Sequence, residues 1–163
     1  NDKEKKLYYL EFGVFMGIST NFFSKYTKKL YAFDSFEGLS EDWTGTYKAK
    51  NTFNTNKKVP KLNNNVELVI GYIQKTLKGF VKEHKLKINF IHFDMDTYES
   101  TVYALKILKP FLTKGAVLIF DELHNFAGWK EGEYKALLEV FKKKDFTFIA
   151  FNLEASQAVI KIN

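Results

Sequence analysis

Carboxylates and glycines stand immediately after several short apolar runs of this chain, where a parallel α/β sheet presents its chemistry. Asp94-Met95-Asp96 follows Ile91-His92-Phe93, and Asp121-Glu122 follows Leu118-Ile119-Phe120. Neighbouring strands lie about 4.8 Å apart, so acids at two adjacent strand ends converge on one point. Carboxylates that close repel one another and stay ionised together only around a cation. Oxygen donors alone select the hard ions Mg²⁺ or Ca²⁺. The rival reading is that Asp96 and Asp121 cap following helices.

Asp34 stands one position past the apolar run 30–33. A carboxylate there is placed to accept hydrogen bonds from both hydroxyls of a ribose, although Asp-Ser also opens many turns. Upstream lies Glu11-Phe12-Gly13-Val14-Phe15-Met16-Gly17. Gly13 lets the chain turn sharply, and Gly17 lets a ligand or the next helix approach the backbone, near the free N–H groups of that helix. The spacing is not the dinucleotide fingerprint, and two structural glycines in a strand-to-helix turn remain the alternative. A glycine turn followed by an acid after the second strand points to a nucleoside-containing ligand. His124, after the fifth strand, is a candidate general base, histidine being the side chain that most often does that work, against the alternative of a solvated loop histidine. His92 reads as a satisfied buried histidine and His84 as a surface one. Trp43 and Tyr47 are candidates for an apolar lid, and Trp129 for packing the rim or stapling the next helix.

The elements that must position these residues follow from periodicity. Strands are expected at 7–12, 30–33, 66–70, 88–93, 116–120, 146–151 and 158–162. Helices are expected at 18–26, 73–83, 100–112 with a break near Pro110, and about 132–143. Residues 34–65, with Gly38, Gly45, Pro60 and Asn63-Asn64-Asn65, lack sustained periodicity and read as an irregular, mobile crossover, which in a compact domain is usually functional. The last two runs have the short spacing of an antiparallel hairpin. The predicted fold is therefore α/β: a Rossmann-like seven-stranded mixed sheet flanked by helices, mostly parallel, with a C-terminal antiparallel hairpin. Ligands in such sheets bind outside the carboxyl ends of the strands.

With 163 residues, 45% hydrophobic and 27% charged, the chain has the size and composition of one globular domain, 1–163, with one core. The start carries no signal-peptide pattern and no run spans a bilayer, so a cytoplasmic protein is expected. The absence of cysteine excludes disulfides, thiolate zinc sites and cysteine nucleophiles. The net charge of +6 invites a nucleic-acid partner. All 25 basic residues are lysine, however, and nucleic-acid recognition leans on the arginine fork.

The strings Glu11-Phe12-Gly13-Val14, residues 31–39 (YAFDSFEGL), residues 92–101 (HFDMDTYEST) and Phe120-Asp121-Glu122 resemble class I S-adenosylmethionine-dependent methyltransferases. Within that superfamily they are most similar to the macrocin O-methyltransferase group, which methylates sugar hydroxyls with bound Mg²⁺. The resemblance runs from about residue 7 to 162. It implies that Glu11, Gly13 and Gly17 hold the methionine part of the cofactor and that Asp34, with Ser35 and Phe36, binds the ribose. Gly71 and Tyr72 would lie near the adenine. Asp94, Asp121 and Glu122 match the metal positions, and Asp94 is also carried over as a cofactor and catalytic residue, beside His124. The family commonly has Asp-Asp-Tyr where this chain has Asp121-Glu122-Leu123.

The expected function is an S-adenosylmethionine-dependent, Mg²⁺-assisted O-methyltransferase acting on a hydroxyl of a sugar or other small molecule, with a homo-oligomer as the candidate assembly. The alternative is a nucleoside-binding module without catalysis, which would have no use for acids converging from two strand ends.

Overall fold

The computed structural model describes residues 7–163; the charged start, residues 1–6, lies outside the described residues. Its seven strands are β1 (Tyr8–Phe12), β2 (Leu30–Asp34), β3 (Val66–Ile70), β4 (Ile88–Phe93), β5 (Leu112–Phe120), β6 (Phe146–Phe151) and β7 (Ala158–Ile162). They form one sheet in the order β3-β2-β1-β4-β5-β7-β6. The first five run parallel, and β7 pairs antiparallel with both β5 and β6. The mixed sheet expected from the sequence is the one that forms. The hairpin folds so that β7, the later strand, takes the inner position.

Helices α1 (Ile18–Phe23), α2 (Ile73–Glu83), α3 (Tyr98–Leu108) and α4 (Glu133–Val140) flank the sheet. Several expected boundaries shift, α4 ending at Val140 rather than near residue 143 and α3 starting at Tyr98, and three of the shifts have local reasons. The first helix tightens into a 3-10 turn over Ser24–Tyr26. The third ends at Leu108 because Pro110 cannot continue it, and Lys109–Phe111 form a 3-10 turn. Strand β5 starts at Leu112 rather than Ala116, across an irregular register opposite β4 and a Gly115 of positive φ. No helix among the described residues is long and apolar enough to cross a membrane.

Alternation along each strand sorts residues to two faces. Leu10 and Phe12, Ile91 and Phe93, and Leu118 and Phe120 join the core with Leu77 and Phe80 of α2, Leu105 and Leu108 of α3, and Leu137 of α4. Four rings in this core form a stacked row across the sheet. Phe33 lies 4.7 Å from Phe12, Phe12 lies 5.6 Å from Phe93, and Phe93 lies 5.0 Å from Phe120. Each of the four is at most 1% exposed. The residues that follow them, Gly13, Asp34, Asp94 and Asp121, are thereby lined up along one sheet end on a rigid aromatic footing. The opposite face carries Glu11 and His92, with Phe23 of α1 packed on the imidazole at 4.9 Å.

Candidate active site

A cavity of about 310 Å³ opens at the carboxyl ends of β1, β2, β3, β4 and β5. Gly13, Asp34, Ser35, Gly71 and Tyr72 line one part of it, and Asp94, Met95, Asp96, Asp121 and Glu122 another. The crossover contributes Leu39, Ser40, Trp43, Lys48 and Phe53.

On the β1–β2 side the backbone makes the geometry. Gly13 has φ +95, and a Cβ there would lie 1.8 Å from the Asp94 carbonyl oxygen, so only glycine lets the end of β1 pass β4. Asp34 Oδ2 accepts the N–H groups of Val14 and Phe15, each at 2.8 Å, and Oδ1 accepts that of Phe36 at 2.7 Å. This one carboxylate thus shapes the turn after β1 and the turn after β2. Gly17 lies away from the cavity lining: a Cβ there would meet Leu62 and Pro60, so the glycine gives room to the end of the crossover. Phe36 is buried with Val14 and Ala32. Glu11 does not line the cavity either; it is fully buried beneath it, with Oε1 3.0 Å from His92 Nδ1.

The β4–β5 side is crowded with acid. His92, Asp94 and Asp121 bring ligand atoms within 4.8 Å of one another, and so do Asp94, Asp96 and Glu122. The expected trio is therefore divided between two groups that share Asp94. Burial and the neighbouring Asp121 push Asp94 up to about 7. Burial does the same to Asp96, against the pull of Lys48, also reaching about 7. Burial and the Glu133 carboxyl hold Glu122 far above the usual carboxylate range, and burial likewise raises Glu133. Burial opposes ionisation of Asp121 too, but the neighbouring His92 and Glu122 and the Gln157 amide outweigh it and keep its carboxyl low. His92 itself is disfavoured as a cation by burial, yet Asp121 and Glu11 carry it up to about 9. Among the described residues, Glu122 Oε2 and Glu133 Oε1 are buried without a hydrogen-bond partner. A buried acceptor left so is costly. Oxygen donors at this density, one of them orphaned, fit a hard divalent cation held by Asp94 with Asp121, Asp96 or Glu122.

The helix-capping alternative for Asp96 and Asp121 does not hold. Thr97 occupies the N-cap of α3, which has no side-chain cap bond, and the free N–H of Glu99 donates to Glu41 of the crossover at 2.9 Å. Asp96 has φ +62, a strained conformation concentrated at functional sites, and lines the cavity. That conformation leaves no trace in the sequence, which places Asp96 among the converging acids but gives it no role of its own at the metal or in catalysis. Glu133 and Gln157 were missed, because they reach the site from a distant helix and strand edge.

His124 lies outside the cavity lining, with Nε2 3.1 Å from the Gln157 carbonyl and its ring against Phe151. His84 is no solvated histidine; its ring packs 4.2 Å from Phe80 and also contacts Tyr8 and Tyr31. Trp129 packs on Tyr134 of α4 at 4.8 Å, the stapling role.

The crossover is irregular as expected but is tied down at many points. The Leu39 N–H donates to the Thr52 carbonyl, the Asn51 N–H donates to the Leu39 carbonyl, Trp43 N–H donates to Lys48, and Gly45 lies so close to Ala127 that a Cβ would meet its oxygen at 1.9 Å. Trp43, 8% exposed, forms the lid side of the cavity with Phe126 behind it. Tyr47 is 95% exposed and takes no part. Lys48 Nζ rests over the rings of Trp43 at 4.5 Å and Phe53 at 4.6 Å.

A methyltransferase-domain family model matches residues 10–123, more than half of the chain. No curated protein sequence matches significantly. Among solved structures, the calicheamicin methyltransferase CalS11 is similar with a TM-score of 0.80 at 22% identity, over 96% of this chain and 72% of that one. The O-methyltransferase NovP follows with a TM-score of 0.69 at 18% identity, over 97% and 72%. An O-methyltransferase from Bacillus cereus, in complex with SAH, has a TM-score of 0.60 at 15% identity, over 94% and 73%. At these identities the structural likeness speaks for the fold; the family match, spanning the strand ends from β1 to Glu122, speaks for the enzyme class. The chain belongs to the methyltransferase-domain family, the class of enzyme its sequence leads one to expect.

Proposed function

We propose that this protein transfers a methyl group from S-adenosylmethionine to a hydroxyl of a small sugar-like acceptor, assisted by a divalent ion, Mg²⁺ by preference. The observation that carries the reading is the division of one cavity into a backbone-built β1–β2 side and an acid-lined β4–β5 side. The likeness to CalS11, a TDP-rhamnose 3'-O-methyltransferase, and the sequence resemblance to the macrocin group support a sugar hydroxyl as acceptor.

Gly13 and Asp34 serve the cofactor in this reading. A carboxylate offers about four lone-pair sites; Asp34 uses three on backbone N–H groups and keeps one, on Oδ1, for a ribose hydroxyl. Gly71 and Tyr72 flank the adenine. Asp94 would hold the ion, with Asp121 or with Glu122 as its partner in the two acid groups, and the ion would supply Lewis acidity to the acceptor hydroxyl when bound. Asp96, rather than His124, is placed to receive the hydroxyl proton, because it lines the cavity and His124 does not. Trp43 and the crossover close the acceptor side and exclude water.

Titration calorimetry with S-adenosylhomocysteine, together with transfer from methyl-labelled S-adenosylmethionine to a panel of sugars and nucleotide sugars, tests the reading. Chelation with EDTA should lower transfer by at least about a hundredfold, since Lewis-acid assistance is worth several kcal/mol. Cofactor affinity should stay within about twofold, because the β1–β2 side owes nothing to the ion. Full transfer in excess EDTA would sink the metal role, and failure to bind S-adenosylhomocysteine would sink the whole reading.

A further inference from the structure

We infer that Glu11 and His92 are positioning residues that hold Asp121 for its cation from beneath the cavity, and that Glu11 does not touch the cofactor. This rests on the metal role proposed above.

Glu11 and His92 are paired in register across β1 and β4, and both project to the face opposite the stacked phenylalanines. Glu11 is 0% exposed and His92 3%. Glu11 Oε1 is 3.0 Å from His92 Nδ1, and His92 Nε2 is 3.7 Å from Asp121 Oδ1. Phe23 packs on the imidazole at 4.9 Å. The ring is thus fixed at one nitrogen, braced by an aromatic, and presents its other nitrogen to a cavity carboxylate. Gln157 Nε2 donates to the same Oδ1 at 3.1 Å. The nitrogens of His92 and Gln157 thus both address Oδ1, and Oδ2 is the oxygen this inference gives to a cation.

A buried charged pair is seldom kept for stability, since apolar replacements of similar shape often do as well or better. Here the pair sits directly under a candidate ligand, in the order carboxylate, imidazole, ligand. Groups of this outer kind, when altered, typically cost 10–100-fold in metal affinity. The resemblance gives Glu11 a different task, contact with the methionine part of the cofactor, so the two assignments separate in one experiment.

Mn²⁺ binding, followed by electron paramagnetic resonance, and S-adenosylhomocysteine binding, followed by calorimetry, are measured on the full chain and on three variants: Glu11→Gln, His92→Gln and the double variant. Glu11→Gln should weaken Mn²⁺ about 10–100-fold and leave S-adenosylhomocysteine within about twofold. The double variant should bind Mn²⁺ no more weakly than His92→Gln alone, because Glu11 acts through the ring. The double variant leaves no unpaired buried charge, and it keeps the test open if either single variant does not fold: it should lose Mn²⁺ affinity and keep the cofactor. Tenfold loss of S-adenosylhomocysteine with Mn²⁺ unchanged would return Glu11 to the cofactor and overturn the inference. So would additive losses, or a silent Glu11→Gln beside a His92→Gln that abolishes Mn²⁺, which would make the ring itself a ligand. Wild-type protein that binds the cofactor but no Mn²⁺ would overturn the metal role and this inference together; wild-type binding with unaffected variants would overturn this inference alone.

Discussion

The two sides of the cavity treat their carboxylates in opposite ways. At the β1–β2 end, Asp34 spends its oxygens on three backbone N–H groups, so the chain itself completes the site. At the β4–β5 end, Asp94, Asp96 and Glu122 crowd together with raised affinities for protons, and Glu122 Oε2 has no partner among the described residues. One end is built to stand alone and receive a polar neutral group. The other is electrostatically incomplete, and only protons or a cation relieve it.

The contrast is most exposed at Asp34. Asp34→Ala removes charge-assisted bonds worth roughly 1.5–3 kcal/mol each, and the turns after β1 and β2 lose their shared anchor. S-adenosylhomocysteine affinity should fall about ten- to a hundredfold, with Mn²⁺ affinity changing less than threefold. Calorimetry on the two ligands checks this. Unchanged cofactor affinity would mean that the β1–β2 end is not the nucleoside side, and equal loss of both ligands would mean that the two ends are not independent.

Much of this arrangement is legible in the sequence, and the reason is physical. Phe12, Phe33, Phe93 and Phe120 each close an apolar strand, and each is followed by a residue of the cavity lining, so strand ends could be found without knowing strand order. The resemblance groups Glu11 with Gly13, of which only Gly13 lines the cavity. Alternation alone puts Glu11 on the face opposite Phe12, away from α2 to α4. Its partner His92 becomes visible only with the β1–β4 register. Asp96 depends on a left-handed backbone, and Glu133 depends on tertiary packing that brings its Oε2 to the Glu122 N–H at 3.0 Å. The crossover, read as mobile for want of periodicity, is held by turn bonds and by a glycine contact with the loop after β5, none of which has a period.

The second way to test the contrast is pH. In the metal-free protein Asp94 and Asp96 hold protons up to about 7, whereas in the unfolded chain they release them near 3.9. Their folded form therefore loses stability as pH climbs toward 7. His92, carried from 6.5 up to about 9, contributes stability that is complete below 6.5 and is lost as pH rises through 9. Both effects run the same way between pH 6 and 9, a window in which ordinary surface carboxylates and lysines hardly titrate. In EDTA the stability should drop by at least about 2 kcal/mol across that window, a fall in Tm of about 4–8 °C. Added Mn²⁺ should restore more at pH 8 than at pH 6, since it competes with fewer protons. Thermal denaturation with and without the ion reads this directly. A flat Tm in EDTA would show that the acid-lined end is not strained, and the contrast would fail.

The smallest effect concerns Lys48, whose ammonium lies over Trp43 and Phe53 and faces the acid-lined end from the lid. Its pull favours ionised Asp96, yet its own charge opposes any cation bound nearby. The ion carries two charges against the single charge of Asp96, so at pH 8 the repulsion outweighs the help to ionisation. Lys48→Met keeps a flexible apolar stem over the two rings and removes the charge. Loss of the cation–π contacts should cost about 0.5–1 kcal/mol of stability. Mn²⁺ should bind about two- to fivefold more tightly, with S-adenosylhomocysteine unchanged. Weaker Mn²⁺ binding at pH 8 would reverse the sign, showing that Lys48 completes the acid-lined end rather than opposing its cation, and that this end is less unfinished than its carboxylates suggest.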